Sequence, residues 1–138
     1  MAGQLRSGVA TLPFEQSDNL RALARSYADS GNYAKAEVSL REALELQVKQ
    51  FGQEHPAVSD SLANLATLYL AMGRLEEANQ MYQRALAIRE KTLGADDPNV
   101  ARLLSGLAAV FDAQGDYKAA QVLRQRADAI YRHAAPKQ

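Results

Sequence analysis

The chain has 138 residues, 47% of them apolar and 23% charged, the composition of one ordinary globular domain large enough to bury a core. Sixteen Lys and Arg balance sixteen Asp and Glu, so no gross field draws nucleic acid or an anionic membrane. The absence of cysteine excludes disulfides and thiol chemistry. No apolar run is long enough for a secretory signal or a membrane span, and the default expectation is a cytoplasmic location.

Taken in chain order, residues 1–13 match no later segment and are expected to form a tail. From there the sequence repeats. Gly31, Gly73 and Gly115 stand 42 residues apart, and Leu20, Leu62 and Leu104, then Ala24, Ala66 and Ala108, follow the same period. So do Tyr27, Tyr69 and Phe111, then Ala36, Ala78 and Ala120, and Ala43, Ala85 and Ala127. Fixed-period self-similarity of this kind marks stacked structural repeats. Within a period, Leu62, Leu65, Ala66 and Tyr69 recur at three- and four-residue spacing, which is one face of a helix. Gly73 ends that helix, and a second one starts near Leu75, with Ala78, Tyr82, Ala85, Leu86 and Leu93 on its inward face. Asp97-Pro98 then caps and opens the next helix, as His55-Pro56 does one period earlier. The pattern predicts six helices, over about 16–30, 33–51, 57–72, 75–93, 99–114 and 117–133. The predicted units are 14–56, 57–98 and 99–133, with 134–138 as a second tail. Each unit leaves an apolar face that only its neighbour can cover.

The arrangement resembles the tetratricopeptide repeat, in the long form found in kinesin light chains and many bacterial proteins. Leu23-Ala24, Tyr27, Gly31-Asn32-Tyr33, Ala36 and Ala43 carry the family pattern. The long second helix ending in Leu93-Gly94 before Asp97-Pro98 carries the long-form pattern. The resemblance covers about residues 17–133. It implies an all-α, right-handed superhelical solenoid of three repeats, with the first helix of each pair lining a concave groove.

In that register the groove floor takes Arg21 and Arg25 from the first repeat, Asn64 and Thr67 from the second, and Arg102, Ser105 and Gly106 from the third. Arginine pairs with carboxylates through a planar fork, and asparagine both donates to and accepts from a peptide backbone. Relatives that clamp chaperone-tail carboxylates place basic and asparagine side chains at five groove positions. Arg21, Asn64 and Arg102 fall on three of these, while Arg25 replaces an asparagine and Gly106 a basic residue. Kinesin light chains use a similar groove for acidic linear motifs. Gly106 costs its helix about 1 kcal/mol relative to alanine, so either a ligand or a neighbouring helix needs the space, or the residue is neutral drift.

The expected function is a non-catalytic protein–protein interaction module that holds a short acidic peptide or a partner helix. His55 and His133 are the only histidines, and no nucleophile–base set can be assembled around them. Metal-ligand spacing and a phosphate-cradling glycine loop are both lacking, so neither a metal nor a cofactor is expected. The balanced charge and core-register aromatics predict no nucleic-acid partner, and no membrane partner either. Two alternatives remain open: homo-oligomerisation through the terminal helices, prompted by Leu123, Ile130 and Tyr131, and a regulatory segment of a longer protein.

Overall fold

The computed structural model describes residues 13–134. Over these the chain forms six helices: α1 Pro13–Asp29, α2 Tyr33–Phe51, α3 Pro56–Ala71, α4 Leu75–Leu93, α5 Pro98–Ala113 and α6 Tyr117–Ala134. They form three hairpins, α1–α2, α3–α4 and α5–α6, each packing on the next through α2 against α3 and α4 against α5. The expected tails lie outside the described residues, except that Pro13 and Ala134 belong to helices. Helices α3 and α5 start at their proline rather than after it, because Pro56 and Pro98 occupy the first helical turn, where the missing N–H leaves nothing unpaired. Asp97 caps α5 by accepting from the Asn99 N–H at 2.8 Å. The His55 Nδ1 accepts from Ala57 N at 3.0 Å, so the imidazole does here what a carboxylate does one repeat later. Gly73, at φ +76°, turns the chain from α3 into α4 through the left-handed region that any side chain would strain.

The alanine positions explain the stacking. Ala36, Ala78 and Ala120 are wholly buried, as are Ala66 and Ala108, and each lets two helix backbones approach closely. Leu62, Leu65 and Tyr69 of α3 lie at the centre of the main core, and Val100, Leu104, Ala127 and Ile130 join α5 to α6. Leu23 shows how far burial depends on the neighbouring unit: it is 44% exposed, whereas its register partners Leu65 and Leu107 are 1% and 4% exposed. Among the described residues no helix covers its side of α1. Leu93, expected to face inward, is instead exposed at the last residue of α4.

The two seams between hairpins differ in chemistry. At the first, the Glu37 carboxylate of α2 accepts from the Tyr69 hydroxyl at 2.8 Å, from Arg41 at 3.0 Å and from Arg74 at 2.9 Å. Arg74 also forks onto Glu77 and lies over the Tyr69 ring, 4.5 Å from its centroid. At the second seam Phe111 stands in the place of Tyr69, Asn79 in that of Glu37 and Gln83 in that of Arg41. There Gln83 donates to Asn79 at 2.7 Å, and the ionic cluster has no counterpart. Burial alone would push the Glu37 carboxyl up, but the hydrogen bonds from Tyr69, Arg41 and Arg74 outweigh it and hold the group below the ordinary carboxylate range.

A carboxylate more acidic in the folded than the unfolded chain stabilises the fold above its unfolded pKa. That contribution is lost as the pH falls through the lowered folded value. Glu37→Gln is therefore expected to lower the melting temperature at pH 7, and the gap to the parent should close progressively below about pH 4.5. Thermal unfolding followed by circular dichroism from pH 7 to pH 3 checks this. A gap independent of pH would show that the Glu37 charge contributes nothing.

Candidate functional site

The first helix of each pair turns one stripe toward the core and another toward a common hollow. In α1 the core stripe is Leu20, Ala24 and Tyr27, so Arg21 and Arg25 fall beside it. In α3 the core stripe of Leu62, Leu65, Ala66 and Tyr69 leaves Asn64 and Thr67 on the hollow side, with the Thr67 hydroxyl donating to the Ala63 carbonyl at 2.9 Å. In α5 the stripe of Leu104, Leu107 and Ala108 leaves Arg102. These five side chains meet along a single groove of about 750 Å³, whose floor also holds Ala22, Ala28, Ala63 and Ala71. At its α3–α5 end the groove deepens into a smaller polar pocket of about 130 Å³, walled by Asp60, Asn64, Arg89, Asn99 and Arg102. Asn64 and Arg102 line both spaces.

The other two expected site residues lie elsewhere. Ser105 is exposed, donates to the Ala101 carbonyl at 3.1 Å within its own helix, and lines neither space. Gly106 is covered by the neighbouring helix: a Cβ built on it would meet the Tyr82 ring at 2.6 Å. Of the explanations open for this glycine, the structure supplies the neighbouring helix, through the Tyr82 side chain. The Tyr82 hydroxyl hydrogen-bonds the Thr67 hydroxyl at 2.8 Å, and burial pushes the phenol up despite that bond.

Charge in the groove is partly neutralised from within. Arg21 pairs with Asp18 one turn back along α1. Asp60 of α3 pairs with Arg89, which reaches in from α4, is only 9% exposed, and also donates to the Ser59 hydroxyl at 3.3 Å. Arg25 and Arg102 are exposed and have no carboxylate partner among the described residues. The groove thus presents a free cation on α1, a free cation on α5, and a neutral amide and hydroxyl on α3 between them.

Sequence reasoning missed Arg89 and Asp60 as a pair. The register carried no signal for it, because the Arg89 position holds Gln47 one repeat earlier and Tyr131 one repeat later. Glu77, in the first turn of α4, pairs with Arg74. Of the residues proposed for self-assembly, Ile130 is buried and Leu123 packs on the core, whereas Tyr131 stays exposed. Among the described residues no group of three or more potential metal ligands occurs, and no helix is long and apolar enough to cross a membrane.

The sequence profile of the tetratricopeptide repeat matches residues 15–91 and 65–133. The chain belongs to the tetratricopeptide-repeat family. It is similar to the solved structure of BtubC (BKLC) from P. vanneervenii, with 29% identity and a TM-score of 0.77 over 88% of this chain and 51% of that one. A putative kinesin light chain with nearly identical repeats from Podosopora anserina is 28% identical, with a TM-score of 0.81 over 92% and 60%. The chain therefore spans between half and two thirds of the length of these relatives. The N-terminal domain of stress-induced protein-1 from C. elegans, at 18% identity and a TM-score of 0.69 over 89% and 90%, shares the fold. No curated protein sequence matches significantly. The tetratricopeptide repeats of this chain are of the kinesin-light-chain-like type, and they make it an all-α solenoid of three repeats. In general such repeats serve protein–protein interaction and are scaffolds rather than catalysts.

Proposed function

We propose that this tetratricopeptide-repeat unit is a non-catalytic adaptor that holds an extended, acidic segment of a partner protein in its concave groove, in a cytoplasmic setting. The observation that carries the reading is the convergence of Arg25, Asn64, Thr67 and Arg102, from three different helices, on one continuous groove of about 750 Å³. The two unpaired guanidinium groups take carboxylates, and the Asn64 amide takes the peptide backbone. Arg21, already held by Asp18, shapes the wall more than it receives charge. A groove spanning three repeats offers a small interface, so micromolar affinity is expected.

Fluorescence anisotropy with a library of labelled acidic peptides tests the reading. Hits are expected, and the double variant Asn64→Ala with Arg102→Glu should weaken them by about tenfold or more, since it replaces an attraction with a repulsion. Equal binding by parent and variant across every peptide would refute a docking channel at these residues. Self-assembly through α6 finds less support, because two of the three apolar side chains it would use are already buried or packed on the core.

A further inference from the structure

The groove is not uniformly basic, and its pattern constrains the ligand more narrowly than acidity alone. By register, Asp18, Asp60 and Arg102 occupy one and the same position in three successive repeats. Both aspartates line the groove, and each neutralises an arginine of the wall, Arg21 or Arg89. What remains is a free guanidinium at either end, on α1 and on α5, with α3 between them. The centre on α3 offers the Asn64 amide, the Thr67 hydroxyl and the Asp60 carboxylate, whose side chain is still 55% exposed. An acidic ligand group arriving there would meet Asp60 before it met Arg89, which is almost wholly covered and already engaged with Asp60 and Ser59.

We infer that the partner segment carries two acidic side chains separated by an uncharged stretch, with Arg25 and Arg102 as their receptors and Asp60 excluding an acid between them. The inference rests on the groove reading above and adds the spacing and the exclusion. Packed helix axes lie ~8–10 Å apart, so α1 and α5 are separated by roughly two such steps across α3. Arg25 also stands seven residues further along its helix than Asp18, the register partner of Arg102, which adds an axial offset of ~10 Å. The resulting span is roughly 19–23 Å, and an extended chain advances ~3.3 Å per residue. The two acids then fall about six to seven positions apart. A helical ligand, rising ~1.5 Å per residue, would need a separation about twice as long.

The test uses labelled peptides on a Ser-Asn-Ala background with two glutamates two to ten positions apart, with a matched one-glutamate peptide and a peptide bearing a third glutamate midway. Affinity is expected to peak at a separation of about six to seven. Arg25→Gln and Arg102→Gln should each reduce the two-acid peptide to the level of the one-acid peptide, a loss of about fivefold from one partly exposed ion pair. In the parent the third glutamate should weaken binding by about threefold relative to the two-acid peptide, and in Asp60→Asn, where both acidic peptides gain from the lost negative charge, that ratio should fall to about one. If Asp60→Asn proves unfolded by circular dichroism, the comparison of the two peptides on the parent still decides. A flat spacing profile, or a third glutamate that strengthens binding to the parent, overturns the inference. When either result comes with the loss expected for Asn64→Ala with Arg102→Glu, the groove reading itself survives. If no acidic peptide binds the parent at all, both fall.

Discussion

Tyr69→Ala is expected to cost about 3–5 kcal/mol of unfolding free energy, the range for deleting a buried aromatic ring. The side chain is 1% exposed at the centre of the main core, where no neighbouring element is free to collapse into the space. Its loss also strips the Glu37 carboxylate of one donor and Arg74 of the ring beneath it. Tyr69→Phe separates these contributions. It keeps the ring and removes only the hydroxyl, which donates to Glu37 at 2.8 Å and accepts from Arg41. Hydrogen bonds to charged groups contribute roughly 1.5–3 kcal/mol. Because this cluster is partly solvated, the lower end of that range is the expectation for Tyr69→Phe. Phe111 stands at the same register position in the third repeat and fills it without a hydroxyl, so the phenylalanine itself fits. Urea denaturation checks both values: the midpoint should fall with the slope unchanged. A Tyr69→Phe protein as stable as the parent would show that the ionic seam adds nothing to the ring packing.

The contrast between these seams marks the limit of what the sequence reveals. Helix order, the hairpin pairing and the buried alanines follow from the 42-residue register, because backbone approach at Ala36, Ala78 and Ala120 tolerates no larger side chain. The groove stripe follows too, once the core stripe of each first helix is assigned. Register does not show which charged residues consume one another. Arg21 and Arg25 look equivalent on α1, yet Asp18 lies one turn before Arg21 and takes it out of play. The Asp60–Arg89 and Glu37–Arg74 pairs join residues 29 and 37 positions apart. Only the packing of different helices brings such pairs together, and no local pattern encodes it.

Gly106→Ala is the second large effect expected, and its sign runs against helix propensity. In an exposed helix interior the change would stabilise by about 1 kcal/mol. Here the new methyl group would lie 2.6 Å from two ring atoms of Tyr82 and 2.8 Å from its hydroxyl oxygen. Displacing that ring would disturb a side chain only 5% exposed and break its hydroxyl's bond to Thr67. Overpacking of this kind costs about 1–3 kcal/mol, so a net loss is expected, larger still for Gly106→Val. The repeat register supplies the control. One repeat earlier Leu40 stands in place of Tyr82 and Asn64 in place of Gly106, so a shorter side chain on the second helix coincides with a groove residue on the next first helix. In a Tyr82→Leu background, Gly106→Ala should therefore turn neutral or stabilising, and the double-mutant cycle should return a coupling of more than about 1 kcal/mol. Additive effects would mean that the ring and the glycine do not constrain each other. If the coupling is found, the lack of a groove side chain on α5 at the register position of Asn64 has a physical cause. Gly106, the α5 counterpart of Asn64, leaves room for the Tyr82 ring, whose hydroxyl in turn bonds Thr67 at the groove wall.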